Sequence, residues 1–276
     1  MAEFQLKEIT SQSYDPPGIN KGYTDKSLHI NVTDADIAIR DIDETVKETF
    51  IGGKGYDLWL LWNAVKDYTR WNDPENAVCI ASGPLGGTPG YPGAGKSIVT
   101  TISPLTGAPM DSNVGGYFGP YKKFSGFDVL EITGKAAKEC VILIDGIENK
   151  IKIYEVSGLT DNSYELSDTL THHFGNEKPG DVSVVSTGTA AKNSLMGCLN
   201  FSWFDAGRKR VRYKQAGRGG IGTVFADKHI KAVVARWGSV SLATNKPADK
   251  EALKKVLKSH TKSITSLDPK QNRMSL

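Results

Sequence analysis

A chain of 276 residues has ample length for a large core, and its formal net charge of +3 is too small for that length to imply a nucleic-acid partner. No apolar run is long enough to span a membrane, and the opening MAEFQLKEITSQSYDPPGIN lacks the apolar segment of a secretory signal, so a cytoplasmic protein is expected. Cys79, Cys140 and Cys198 are odd in number and far apart, which leaves no pair with metal-ligand or redox spacing and too few thiolates for a four-cysteine iron–sulfur cluster.

Residues 1–21 read as an N-terminal extension with turn signals at Asp15-Pro16-Pro17-Gly18. A domain spanning 22–240 then opens with a hairpin over 27–32 and 36–42, where Leu28, Ile30 and Val32 alternate with polar residues and Thr33-Asp34-Ala35 turns the chain. The glycines around Lys54 lead into a helix expected over 56–71. Leu58, Leu61, Trp62, Val65 and Tyr68 form its apolar face, with Asp57, Asn63, Lys66 and Asp67 away from it. Helical spacing of this kind is what burial demands, so the aromatic residues read as core. A short buried strand at 77–81 follows, then a glycine- and proline-rich stretch at 83–135 that ends in a strand at 127–133.

The second half repeats the pattern. A hairpin over 140–144 and 150–156 is followed by a helix at 163–174, strands at 182–187 and near 194–201, the glycine-rich YKQAGRGGIGT at 213–223 and a last strand at 230–235. Hairpin, helix, strands and glycine-rich loop thus occur twice. The expected fold class is α+β and β-rich, two pseudo-symmetric mixed sheets forming a cofactor-binding base with one loop from each half. A helical tail at 241–276 carries a helix over 247–260 with few apolar positions, Leu253, Val256 and Leu257, and ends in a polar segment.

The two glycine-rich stretches carry the chemistry. Glycine amides without side chains in the way, beside Lys96, Asn113, Lys122 and Lys123, are what phosphate oxygens need. GYPGAGKS at 90–97 fits the phosphate-loop pattern of nucleotide hydrolases letter for letter. That chemistry requires a helix after the loop, however, and Lys96 is followed by the β-branched SIVTTISP, a strand stopped by Pro104. The context opposes a nucleotide hydrolase and favours one phosphate-bearing cofactor held between two loops.

The ordered set IGGKG at 51–55, GPL at 83–85, SPLTG at 103–107, SNVGGYFG at 112–119, GK at 134–135 and AGRGGIG at 216–222 closely resembles the tungsten-containing aldehyde ferredoxin oxidoreductases. The likeness covers about 22–260 and only that family's N-terminal domain. It implies a base on which two pterin dithiolenes hold one tungsten and are joined through their phosphates by magnesium. The resemblance places Asn113 where a side-chain amide meets that Mg2+, and Gln215 where a main-chain carbonyl completes its shell. Gly115, Gly116 and Gly217 fall at backbone positions against the pterin, and Arg218 at the same loop. Lys96 and Lys214 stand where the family has arginines, so charge survives at both positions while the planar two-pronged geometry is lost. No catalytic residue is expected on this chain. The resemblance implies a cofactor-binding subunit of a split tungsten (or molybdenum) bis-pterin oxidoreductase, oxidising aldehydes to carboxylic acids. The 4Fe-4S cluster would sit on a separate, helical partner chain, and electrons would pass to ferredoxin or another iron–sulfur subunit. Relatives that reduce aromatic thioesters give a second chemistry, and a cofactor-free scaffold or assembly subunit is the non-catalytic alternative.

Overall fold

The computed structural model describes residues 4–238 and 244–266. The polar end expected beyond the helical tail lies largely outside the described residues. In chain order the elements are β1 (Gln5–Ser13), β2 (Lys26–Asn31), β3 (Asp36–Asp41), α1 (Glu44–Phe50), α2 (Lys54–Ala64), β4 (Val78–Ala81), β5 (Ser97–Ile102), β6 (Pro109–Val114), α3 (Phe118–Phe124) and β7 (Val129–Thr133). Then come β8 (Cys140–Asp145), β9 (Lys150–Ser157), α4 (Ser163–Gly175), β10 (Val182–Ser186), α5 (Thr189–Asn193), β11 (Leu199–Asp205), β12 (Arg210–Ala216), α6 (Ile221–Asp227), β13 (Ile230–Arg236) and α7 (Lys250–Thr265).

The strands form a six-stranded sheet of order β3-β2-β7-β4-β5-β6 and a seven-stranded sheet of order β1-β9-β8-β13-β10-β11-β12. With β1 set aside, the second order is the first one repeated, position for position. Each sheet also has one parallel pair at the same place, β2 with β7 and β8 with β13. The pseudo-symmetry expected from the order of elements is therefore present in strand order and strand direction.

Alternation along the strands builds the core between the sheets. Leu28, Ile30, Leu130 and Ile132 from one sheet meet Ile142, Ile144, Phe201 and Val233 from the other, with Phe118 and Phe225 from the short helices between them. The outward faces are covered separately. Leu166 and Leu170 of α4 lie on Val182, Val184 and Val234, while Tyr56, Leu60 and Leu61 of α2 lie on Cys79, Ala81 and Val129.

Several expected elements differ. The helix expected over 56–71 stops at Ala64, because Val65 is extended. Its buried residues are Tyr56, Asp57, Leu60 and Leu61, whereas Trp62 is 81% and Tyr68 98% exposed. Asp57 enters the core because Thr100 Oγ1 donates to its Oδ2 at 3.2 Å, and burial lifts its carboxyl well above the usual range. Residues 5–13 of the expected extension are a strand paired with β9. The glycine-rich stretches contain β6, α3, the end of β12 and the start of α6, none of which their composition suggested. The segment after Lys96 is strand β5 rather than a helix, so GYPGAGKS lacks the helix N-terminus a nucleotide-hydrolase loop requires.

Candidate cofactor site

The eight candidate residues fall on two matching strand ends and their loops. β5 pairs with β6 so that Ile98 faces Asn113 and Ser97 faces Val114. β11 pairs with β12 so that Asn200 faces Gln215 and Leu199 faces Ala216. Asn113 and Gln215 therefore occupy equivalent positions, one residue before the last residue of each edge strand. Each strand then runs into a glycine loop, Gly115-Gly116 in the first half and Gly217 to Gly220 in the second.

The two edges meet. Arg218 N donates to Ser112 Oγ at 3.1 Å, and Ser103 Oγ donates to the Gly219 carbonyl at 2.7 Å. A methyl on Gly219 would lie 2.3 Å from Met110 Cγ, and one on Gly116 would lie 3.6 Å from the Trp203 ring. The loop ending at Lys96 joins the same place, since a methyl on Gly95 would stand 2.5 Å from the Gly116 carbonyl oxygen. Sequence reasoning missed Trp203 altogether, and it quoted Ser103 and Ser112 within motifs without seeing that they join the two edges. Nothing in their spacing marked these contacts, because they act across the boundary between halves.

The donor set suits a flat anionic ligand. Lys96, Asn113, Lys214, Gln215, Gly217 and Arg218 are all exposed. Among the described residues no carboxylate pairs with Lys96, Lys214 or Arg218, so three cations face solvent without internal compensation. A methyl on Gly115 would meet no protein atom within 4 Å, and one on Gly217 only Cys198 Sγ at 3.7 Å. The backbone at both glycines borders open space, where a ligand could come within van der Waals distance of the chain. Gly116, at φ +123°, adopts a conformation that favours glycine on its own account.

Lys122 and Lys123, expected to serve phosphates, do not face this space. Both are fully buried on α3. Lys122 Nζ donates to the carbonyls of Phe127 at 2.9 Å and Asp128 at 2.6 Å. Lys123 Nζ donates to the carbonyls of Gly83, Pro84 and Gly86 and to Asn245 Oδ1. Burial pushes the Lys122 ammonium down to about 7 and that of Lys123 to about 8, with the Asp128 carboxylate opposing both shifts. Backbone carbonyls, not ligand phosphates, are their partners.

Residues 27–237 match the family described as aldehyde ferredoxin oxidoreductase, N-terminal domain. The chain belongs to that family. The tungsten-containing aldehyde ferredoxin oxidoreductase of Pyrococcus furiosus is 33% identical over 207 residues, covering 75% of this chain and 32% of the relative. The aliphatic sulfonate oxidoreductase, WOR-like subunit, of the same organism is 28% identical over 261 residues, 89% of this chain and 39% of that one. Among solved structures, the active site complex BamBC of benzoyl coenzyme A reductase, in complex with 1,5-dienoyl-CoA, superposes with a TM-score of 0.75 at 26% identity. That match covers 90% of this chain and 37% of the other. The chain thus spans about a third of the length of the tungsten-containing relatives it matches.

Proposed function

We propose that this chain is the cofactor-binding base of a tungsten (or molybdenum) bis-pterin oxidoreductase. The observation that carries this reading is the correspondence of Asn113 and Gln215, at equivalent edge-strand positions of the two halves, flanked by exposed cations and by glycines bordering open space. When bound, the metal dithiolene supplies the redox chemistry. The residues of this chain bind and orient it. Lys96 and Lys214 would neutralise phosphate oxygens as point charges, and Arg218 would add a third cation. The Asn113 amide oxygen and the Gln215 main-chain carbonyl are hard donors suited to Mg2+ between the phosphates. Gly115, Gly116 and Gly217 would let the pterin rings lie directly on backbone.

Oxidation of an aldehyde to a carboxylate is the proposed chemistry, supported by the relatives described as tungsten-containing aldehyde ferredoxin oxidoreductases. Electrons would leave through iron–sulfur centres on a separate chain and pass to ferredoxin. A relative described as a WOR-like subunit supports a divided enzyme. So do the exposed Leu105, Leu195 and Met196, beside the glycine loops, which further polypeptide would cover. Reduction of an aromatic thioester is the second reading, favoured by the 90% coverage of this chain in the benzoyl coenzyme A reductase match.

Anaerobic purification from the native host tests the proposal by elemental analysis, pterin fluorescence and identification of co-purifying chains. Tungsten or molybdenum, pterin and a cysteine-rich partner are expected. A metal-free, pterin-free chain would instead favour a scaffold. Lys96→Ala combined with Lys214→Ala should lower pterin content about tenfold or more, the loss of two charge-assisted contacts.

A further inference from the structure

The loop between β4 and β5, residues 82–96, ends on Lys96 and abuts Gly116, yet it contains no helix or strand. Turn hydrogen bonds such as Thr88 N to the Leu85 carbonyl and Ala94 N to the Tyr91 carbonyl give part of its order, and the rest comes from outside the loop. Three of its carbonyl oxygens, from Gly83, Pro84 and Gly86, turn inward onto Lys123 Nζ at 2.9–3.0 Å. The fourth oxygen on that ammonium is Asn245 Oδ1 at 3.3 Å. Asn245 is itself buried, and its Nδ2 donates to the Pro84 carbonyl and to Thr88 Oγ1, both at 2.9 Å. The amide group is thus spent entirely on this loop and its lysine. Asn245 also lies beyond the residues that match the family.

We propose that Lys123 and Asn245 are positioning residues that clamp the loop 82–96 and thereby set Lys96 and Gly116 for the cofactor. The inference rests on the reading given under Proposed function. The mechanical path is continuous. The clamped residues lie on the last turn of α3, where a methyl on Gly87 would come within 2.5 Å of the Phe124 ring. Gly87 N donates to the Ala94 carbonyl at 2.7 Å, closing the loop on itself, and Gly95 then abuts the Gly116 carbonyl. Releasing Gly83 to Gly86 therefore frees Gly95, Lys96 and the Gly116 peptide together. Without the ammonium, the buried Gly86 carbonyl loses its partner, while Gly83 keeps only Gly86 N and Pro84 only Asn245 Nδ2, a cost that favours turning this stretch out to solvent.

The decisive variants are Asn245→Ala, which removes the amide and leaves the lysine, and Lys123→Met, which removes the charge and keeps the volume. Both are made in the full chain, produced in the native host and purified anaerobically. Amide hydrogen exchange is followed over 83–96 and, as an internal reference, over β2 and β7, while pterin and tungsten are counted per chain. In Asn245→Ala the loop amides are expected to exchange about tenfold faster with the reference strands unchanged, and in Lys123→Met about a hundredfold faster. Pterin content should fall in the same order, by about threefold and tenfold or more. Asn245→Asp keeps an acceptor for Lys123 but loses both donors, and should fall between wild type and alanine. Loop exchange at the wild-type rate in Asn245→Ala overturns the clamp. A faster loop with undiminished pterin overturns the positioning role. A wild-type chain devoid of pterin overturns the cofactor reading and the positioning role with it, and is told apart from a failed clamp because the exchange contrast between wild type and variant persists.

Discussion

The two halves share a topology but order their equivalent loops by different means. In the first half the 82–96 connection has no secondary structure and is held by a buried ammonium reaching four oxygens. In the second half the connection between β10 and β11 folds into helix α5, which Thr189 and Lys192 tie to Asp161, and α6 holds it by one hydroxyl. Thr223 Oγ1 on α6 donates to the Ser194 carbonyl at 2.7 Å and accepts from Gly197 N at 3.0 Å. In both halves the anchoring side chain comes from the helix that follows the edge strand. The first loop, built of turns, is held from its helix by a donor with several protons, whereas the second, built around α5, is held from its helix by a single hydroxyl.

Lys123→Met should break this contrast most severely, costing about 3 kcal/mol or more in urea unfolding, because the Gly86 carbonyl and Asn245 Oδ1 lose their partner and two further carbonyls lose a charged donor. Thr223→Val should cost about 1–2 kcal/mol. Equal losses would show that the halves are anchored alike.

Gly119 and Gly222 are equivalent second residues of α3 and α6, and each sits where a methyl has no room. At Gly222 the methyl would lie 2.3 Å from the Cys198 carbonyl oxygen, which is backbone, while at Gly119 it would meet the hydroxyls of Ser97 and Ser82 at 2.3 and 2.5 Å. Hydroxyls rotate and a peptide does not. Gly222→Ala should therefore cost about 3 kcal/mol and Gly119→Ala about 1 kcal/mol, read from thermal or urea unfolding.

The buried lysines extend the comparison to pH. Burial lowers Lys122 to about 7, Lys123 to about 8 and, in the second half, Lys228 to about 8, all from an ordinary 10.5. A depressed lysine means the unfolded chain holds the proton over a pH range in which the folded chain has released it. Stability therefore rises with pH from about 7 upward through this window, and below 7 these groups contribute no slope. Between pH 7 and 8.5 the wild type should gain stability. Lys122→Met should remove about 2 kcal/mol of that gain and Lys228→Met under about 1 kcal/mol. A flat wild-type profile would contradict the lowered lysines.

The smallest expected effect concerns thiols. Cys198 is exposed, while Cys79 and Cys140 are both buried, the latter pushed up to about 12. Iodoacetamide should add one label to the native protein, at Cys198, with the other two thiols reacting only after denaturation.

Much of the architecture was legible because alternation is local. β2, β3, β5, β8 and β9 announce themselves in runs such as SLHIN and SIVTTI, and the repeated order of elements carried the pseudo-symmetry. What was illegible depended on distant partners. The phase of α2 is set by Thr100 and by the sheet it covers, which turn Asp57 inward and leave Trp62 outside. α3 and α6 hide in glycine-rich sequence, because the close approach to neighbouring strands that demands Gly119 and Gly222 is a tertiary requirement. Lys122 and Lys123 looked like phosphate ligands, since a sequence does not reveal that their acceptors are backbone oxygens. Of the candidate site, the positions of Asn113, Gln215 and the glycines could be named from a resemblance. That Ser103 and Ser112 tie the two edges together could not.

Strand β1 has a consequence in time. It is the first strand of the chain, yet it pairs with β9 at the edge of the second sheet, and the residues after it cross to the first half, where Tyr14 donates to the Ser125 carbonyl at 2.6 Å. During synthesis β1 leaves the ribosome long before its partner exists. At 5–20 residues per second the wait until residue 157 emerges is roughly 10–30 s. A strand kept waiting that long is an aggregation hazard if it is apolar, and QLKEITSQS is not. Its polar composition, which made it look like an extension, suits a segment that must stay soluble until the second half of the protein has been made.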